Sequence, residues 1–289
     1  MFRKTIIFFF FVAMPAITMS HVATAYDIKP KTPDTGFSGK IKPDILGLST
    51  EQDAAKTKDI VEAYFKGRQG VKPNVQQQTF VNTAVTFVPS MSFDLPASAK
   101  ESGENIAAAF SSPASANKTF MLTRTITFAP DQQPLKADLL KQLTDKYGVA
   151  TLIGDQHVYY FYRKGKVVSV GQKYKPDTAL EALDKPVNPK AAVALNDAKG
   201  KGSCVAAVKR IGTLDKTLAA LRSEASDANC EAALSITLSS GGTADRVGKA
   251  EFMLADFKRI TSAATIDDDA IAAAKSEQIK APTGSAPKL

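Results

Sequence analysis

Few residues in this chain have both the type and the spacing to do chemistry. Cys204 and Cys230 are its only cysteines. A redox pair of the thioredoxin kind needs a C-x-x-C spacing, which is absent. In an oxidising compartment the two are expected to form a structural disulfide, worth roughly 3.5 kcal/mol by the chain-entropy argument. Two separate buried thiols, or a reactive pair, are the alternatives. Both cysteines stand at or just before the start of a predicted strand. They meet if those starts lie together, as in a parallel pair joined by a helix, and would be roughly 20 Å apart in an antiparallel pair.

His157 is the only histidine beyond the first 25 residues, so a site needing two imidazoles is excluded from the remainder. A Ser-His-Asp arrangement would have to use it. It stands in Gln156-His157-Val158-Tyr159-Tyr160-Phe161-Tyr162, whose alternation reads as a strand with a solvent-facing or half-buried His. In that strand Tyr159 and Phe161 take one face, and Val158, Tyr160 and Tyr162 the other. One face packs on the core as ordinary sheet, and the other is a candidate interaction surface made of His157, Tyr159, Tyr160, Phe161 and Tyr162. Asp267-Asp268-Asp269 cannot all face one cation from a helix, and acidic residues favour a helix start, here that of a helix through Ile271. Gly200-Lys201-Gly202-Ser203 lacks the spacing of a phosphate loop and reads as linker. No catalytic, metal or cofactor site is assigned.

The elements around these residues indicate an α+β protein. Arg3 and Lys4, the apolar run Ile6 to Ala13 and the small-residue triplet Ala23-Thr24-Ala25 have the order of a cleavable signal peptide over 1–25. A membrane anchor needs about 20 apolar residues, and this stretch is broken by Pro15, Thr18, Ser20 and His21. No membrane span is expected after cleavage, and the location is periplasmic or secreted. Cleavage removes Arg3 and Lys4 and no acid, lowering the net charge from +8 to +6. The remaining cations are scattered among acids, which speaks for a mildly basic surface weakly drawn to anionic envelopes, not a nucleic-acid groove.

Residues 26–44 read as an extended lead-in. An α+β domain is expected over 45–171, a linker over 172–202, a small α/β domain over 203–265, and a helical turn with a disordered tail over 266–289. In the first domain, Ser49 and Gln52 form a capping-box pattern for a helix reaching Phe65. Strands are expected over Val81 to Phe87, Ile106 to Phe110 and Phe120 to Phe128. A second helix follows Pro134 and ends at Gly148. A hairpin then turns at Arg163 to Lys166. In the second domain the pattern suggests a strand from Cys204 to Ile211, a helix through Leu214 and Leu221, and a strand through Leu234 to Leu238. A helix with Val247, Ala250, Leu254, Phe257 and Ala264 on one stripe completes it.

Leu46-Gly47-Leu48-Ser49-x-x-Gln52 opening a helix, the strand end Arg124 to Phe128 and the helix end Lys146-Tyr147-Gly148 together resemble a group of uncharacterised exported bacterial proteins. More distantly they resemble the helix-plus-antiparallel-sheet module of small outer-membrane assembly lipoproteins and β-lactamase inhibitor proteins. The likeness covers Asp44 to Gly171. It implies a sheet that presents a surface to other proteins, and it transfers no binding residue. The chain departs from the lipoproteins in lacking an anchor cysteine, and has Val149-Ala150 where such modules often carry Pro. The expected function is therefore a non-catalytic protein-binding module with another envelope or secreted protein as partner. The alternative is an envelope hydrolase or transferase using paired carboxylates, which leave no sequence signature.

Overall fold

In the computed structural model, which describes residues 27–40, 42–153, 156–168, 204–213 and 217–280, the fold is α+β. Its first long hairpin is the antiparallel pair β5 (Gly103–Phe110) and β6 (Thr119–Thr127), joined by the turn-rich loop 111–118. β4 (Ser90–Leu95) and the edge strand β1 (Lys72–Val75) extend the sheet on one side. On the other side β6 pairs with β11 (Val247–Ala255), β11 with β10 (Ala232–Ser240), and β10 with β8 (His157–Arg163). The short β7 (Leu152–Ile153) and β9 (Lys166–Val167) finish the nine-stranded sheet. β2 (Gln78–Thr79) and β3 (Thr86–Phe87) form a separate small hairpin.

This topology does not divide where a linker over 172–202 would divide it. The β10–β11 hairpin from the C-terminal part lies between β6 and β8 of the N-terminal part, so one sheet spans both expected domains. Strands with unpaired edges would otherwise be left on β6 and β8, and closing them supplies the backbone partners that buried N–H and C=O groups require.

Both faces of the sheet are covered over part of their extent. On one face, α1 (Ala54–Tyr64) and α2 (Lys136–Tyr147) bury Val61, Phe65 and Leu143 against Phe93, Ile106, Leu122, Leu234, Ile236 and Leu254. On the other, α3 (Cys204–Thr213), α4 (Leu218–Asp227) and α5 (Phe257–Lys280) bury Val208, Leu221 and Ile260 against Ala109, Phe120, Met121, Phe161 and Ala233. No helix among the described residues is long and apolar enough to cross a membrane.

Local chemistry explains where several elements differ from the expected pattern. The Gln52 side chain does accept from the Ser49 N–H (3.0 Å), but Leu46 and Gly47 take left-handed φ values in a tight turn. The helix therefore starts later, capped by Asp53, whose carboxylate accepts from the Lys56 N–H (2.9 Å). Val81 to Phe87 alternates like a strand, yet the Thr83 hydroxyl bonds the Phe80 carbonyl (2.8 Å) and Asn82 is left-handed, making a loop that leaves only β3 at its end. β4 adds a strand to those expected, with Met91, Phe93 and Leu95 alternating with Ser90, Ser92 and Asp94.

Cys204 to Ile211 is the helix α3, not a strand, and Cys230 lies just before β10. The two cysteines are disulfide-bonded with Cα atoms 5.8 Å apart, so the bridge ties a helix start to a strand start and no parallel strand pair is involved. The stripe from Val247 is split: Ala250, Phe252 and Leu254 alternate in β11, and a helix begins only at Phe257. That helix runs to Lys280, so Asp267–Asp269 lie inside it and not at its start, and the region from 266 is far more than a helical turn. The second helix and the hairpin lie where the pattern put them: Gly148 (φ 81°) ends α2, and Lys164 and Gly165 both take positive φ between β8 and β9. The signal segment 1–25, the linker 172–202 with Gly200–Ser203, and the tail beyond Lys280 fall outside the described residues.

Candidate binding face

The expected aromatic surface on β8 does not exist as a surface. Tyr159, Tyr160, Phe161 and Tyr162 are only 2%, 1%, 0% and 5% exposed. The sheet is covered on both faces here. Tyr160 packs at 5.6 Å from the Tyr147 ring of α2, and Tyr162 meets Phe37 of the lead-in at 4.9 Å. Tyr159 and Phe161 belong to the core under α3 to α5. Burial pushes the phenol of Tyr160 up to about 12, and those of Tyr147 and Tyr162 higher still. His157 is half-buried, with Nδ1 at 3.1 Å from the Thr237 hydroxyl and its ring stacked 5.8 Å from that of Tyr159.

The strand register shows where a surface does form. Directly opposed residues of an antiparallel sheet share a face, so each row across the sheet can be read off the pairings. On the face that carries α3, α4 and α5, one row runs Ser90, Ala109, Met121, Ala255, Ala233, Phe161 and is the apolar seat of those helices. Two residues further along each strand, the next row is Asn74, Ser92, Ala107, Thr123, Met253, Ser235, Tyr159. The third row is Lys72, Asp94, Asn105, Thr125, Glu251, Thr237, His157, polar at all of its seven strands. Lys72 is exposed and the other six are half-exposed. The face thus grades from a buried apolar row to an open polar one, along which Asn105 Nδ2 donates to Asp94 Oδ1 (3.5 Å) and the His157 ring bonds the Thr237 hydroxyl (3.1 Å).

Among the described residues, three depressions follow this open half. One of about 480 Å³ lies over β1, β4, β5 and β6, floored by Ser92, Ala107, Met121 and Thr123. It runs through Gln78, Pro89 and Thr217 into a second, of about 390 Å³, between the β2–β3 hairpin and helices α4 and α5, where Phe80, Phe87, Leu218 and Ile271 supply apolar walls. The third, about 260 Å³, is bounded by Thr125, His157, Thr237, Glu251 and the Val208–Gly212 side of α3.

The carboxylates near these depressions are committed to other groups. Asp267 accepts from the hydroxyls of Ser112 and Ser115 (2.6 Å each), with burial raising its carboxyl against those bonds. Asp268 pairs with Arg222, and Glu251 with Lys249 (2.8 Å). On the opposite face, buried Glu104 accepts from Arg124 Nε (2.6 Å), Arg68 Nη1 (2.9 Å) and Tyr64 Oη (2.8 Å), which ties α1 to the sheet and explains a cation on an otherwise apolar strand face. At the start of α5, Asp256 accepts from Gly36 N–H (2.9 Å), Thr35 hydroxyl (2.6 Å) and Arg259 N–H (3.0 Å). Arg259 reaches the Thr50 carbonyl and Glu51 (3.1 Å), so this buried pair fastens the lead-in to the helix. Among the described residues no three His, Cys, Asp or Glu side chains group as a metal site.

The sequence showed this face only indirectly. Ser92, Thr123, Thr125, Ser235 and Thr237 are unremarkable strand residues until register aligns them, and register across strands distant in sequence is not visible in the alternation of any one of them. Comparison with protein-family models, curated proteins and solved structures finds no match for this chain. The likeness to helix-plus-sheet modules therefore rests on its short motifs.

Proposed function

We propose that this chain is a non-catalytic binding protein of the cell envelope, and that it holds another protein on the open half of its sheet. The observation that carries the reading is the polar row from Lys72 to His157, a broad hydrogen-bonding face on a sheet that helices cover only in part. A sheet face supplies a rigid, shallow platform, suited to a large partner more than to an enclosed small substrate. Export is supported by the order of charged, apolar and small residues over 1–25 and by the Cys204–Cys230 bridge, which persists in oxidising compartments. The carboxylates bordering the depressions are each held by serines, arginine or lysine, which favours a platform over general acid–base work.

Site-specific photo-crosslinking tests this. A crosslinker at Thr125, on the polar row, is expected to give one discrete protein adduct in envelope preparations, while one at Lys141, on the exposed side of α2, gives none. Equal labelling from both positions, or none from Thr125, would remove the support for the reading.

A further inference from the structure

The depression over β1, β4, β5 and β6 has a chemical character that narrows what can lie in it. Asn74, Gln76, Gln78, Ser90, Ser92, Thr123 and Thr217 supply carboxamides and hydroxyls, and the rest of its lining is Pro, Met and Ala; among the described residues no charged one lines it. Asn74, Gln76 and Gln78 are alternate residues of an exposed extended segment, so all three present their carboxamides along the same wall. In extended chain two residues advance about 6.8 Å, which is also the interval at which a second extended chain repeats the N–H and C=O groups on one of its edges. Each carboxamide offers both a donor and an acceptor, the complement of a peptide unit. Beyond Gln78 and Thr217 the depression turns apolar, between Phe80, Phe87, Leu218 and Ile271, and there the cation Arg222 is already paired with Asp268.

We infer that this groove takes an extended, uncharged polypeptide segment of the partner, bonded through its main chain to the Asn74, Gln76 and Gln78 carboxamides and anchored by one large apolar side chain against Phe80, Phe87 and Leu218. The inference rests on the binding-protein reading and names the occupant of that face. The edge of β1 itself is a poor alternative seat. Gln76 N–H bonds back to Ser90, so by alternation Pro73 and Val75 point outward, and Pro73 has no N–H to offer a further strand. Recognition is by side chains over the sheet, not by adding a strand to it. An uncharged lining gives no compensation to a buried Lys or Asp, so charged segments are disfavoured.

The test uses the full processed chain, isotope-labelled for NMR, and blocked peptides of about ten residues. One peptide is built from Ser, Thr, Asn and Gly with a central Phe. A second replaces the Phe by Ser, and a third carries alternating Lys and Asp around the Phe. The first is expected to shift amide signals of residues 74–78, 90–92, 107–109 and 123, and the second and third to bind at least about tenfold more weakly. The variant Asn74→Ala/Gln76→Ala/Gln78→Ala changes only exposed side chains, so its melting temperature stays unchanged while its affinity for the first peptide falls about tenfold or more. Equal affinity of that variant, equal affinity for the charged peptide, or self-association that occupies the groove would each overturn the inference. If no peptide binds while Thr125 still crosslinks to a partner, this inference falls and the binding-protein reading survives; if both fail, both fall.

Discussion

Asp256 and Arg259 are 0% and 1% exposed, and they show how one buried pair organises a stretch of otherwise irregular chain. Burial pushes the Asp256 carboxyl above the usual range, opposed by the Arg259 charge and by donors from Thr35, Gly36 and the helix start. Removing one member of such a pair leaves the other charge uncompensated, so Arg259→Met should destabilise by about 3–5 kcal/mol in urea unfolding. In an Asp256→Asn background, which keeps an acceptor oxygen for Gly36, the same change should cost less, by about 0.5–3 kcal/mol of coupling. Equal costs in both backgrounds would show that the pair does not act as one. Neither residue stood out in the sequence, because an Asp three residues before an Arg at a helix start is common and only the fold brings Thr35 and Thr50 to it. The cysteines were legible because there are only two of them. The role of Asp267 has no local signature, because its partners, Ser112 and Ser115, lie in a distant loop.

At the level of elements, the patterns that could be read were those with local causes. α2 has a glycine stop, and the β8–β9 hairpin has its Lys-Gly turn. Those that failed were ambiguous in period: the residues of α3 passed for a strand, and those of β11 passed for a helical stripe because Ala250 and Leu254, four residues apart, satisfy both readings. The bridge between α3 and the start of β10 should contribute roughly 3.5 kcal/mol, so Cys204→Ser/Cys230→Ser should lower the unfolding free energy by about that amount. An unchanged urea midpoint would deny the bridge a role in stability. Strand β8 has a pH signature. A phenol whose pKa rises on folding holds its proton more tightly in the folded chain. Its contribution to stability is therefore complete below the ordinary value of 10 and is lost as pH climbs through about 12, the value for Tyr160. Absorbance at 295 nm should show Tyr147, Tyr160 and Tyr162 ionising together with loss of far-ultraviolet circular dichroism, not ahead of it. Full phenolate formation in a still-folded chain near pH 10 would contradict the packing of this strand.

For the whole molecule, the decisive feature is that β10 and β11 enter the middle of the sheet. A polar, proline-bearing stretch near residue 185 suggested two domains, but nothing in composition announces that a C-terminal hairpin will pair with β6 and β8 across such a distance. That same insertion aligns Glu251 and Thr237 with Thr125 and His157, completing the polar row. The binding face therefore depends on the complete sheet, and its existence was hidden for the reason the topology was. The most direct measurement is the yield of the Thr125 photo-crosslink in a protein that also carries Thr123→Arg, a bulky charge placed on the open half-face, with melting temperature as the control for folding. The account predicts that the adduct is lost while the melting temperature holds. An undiminished adduct from a folded Thr123→Arg protein would contradict it.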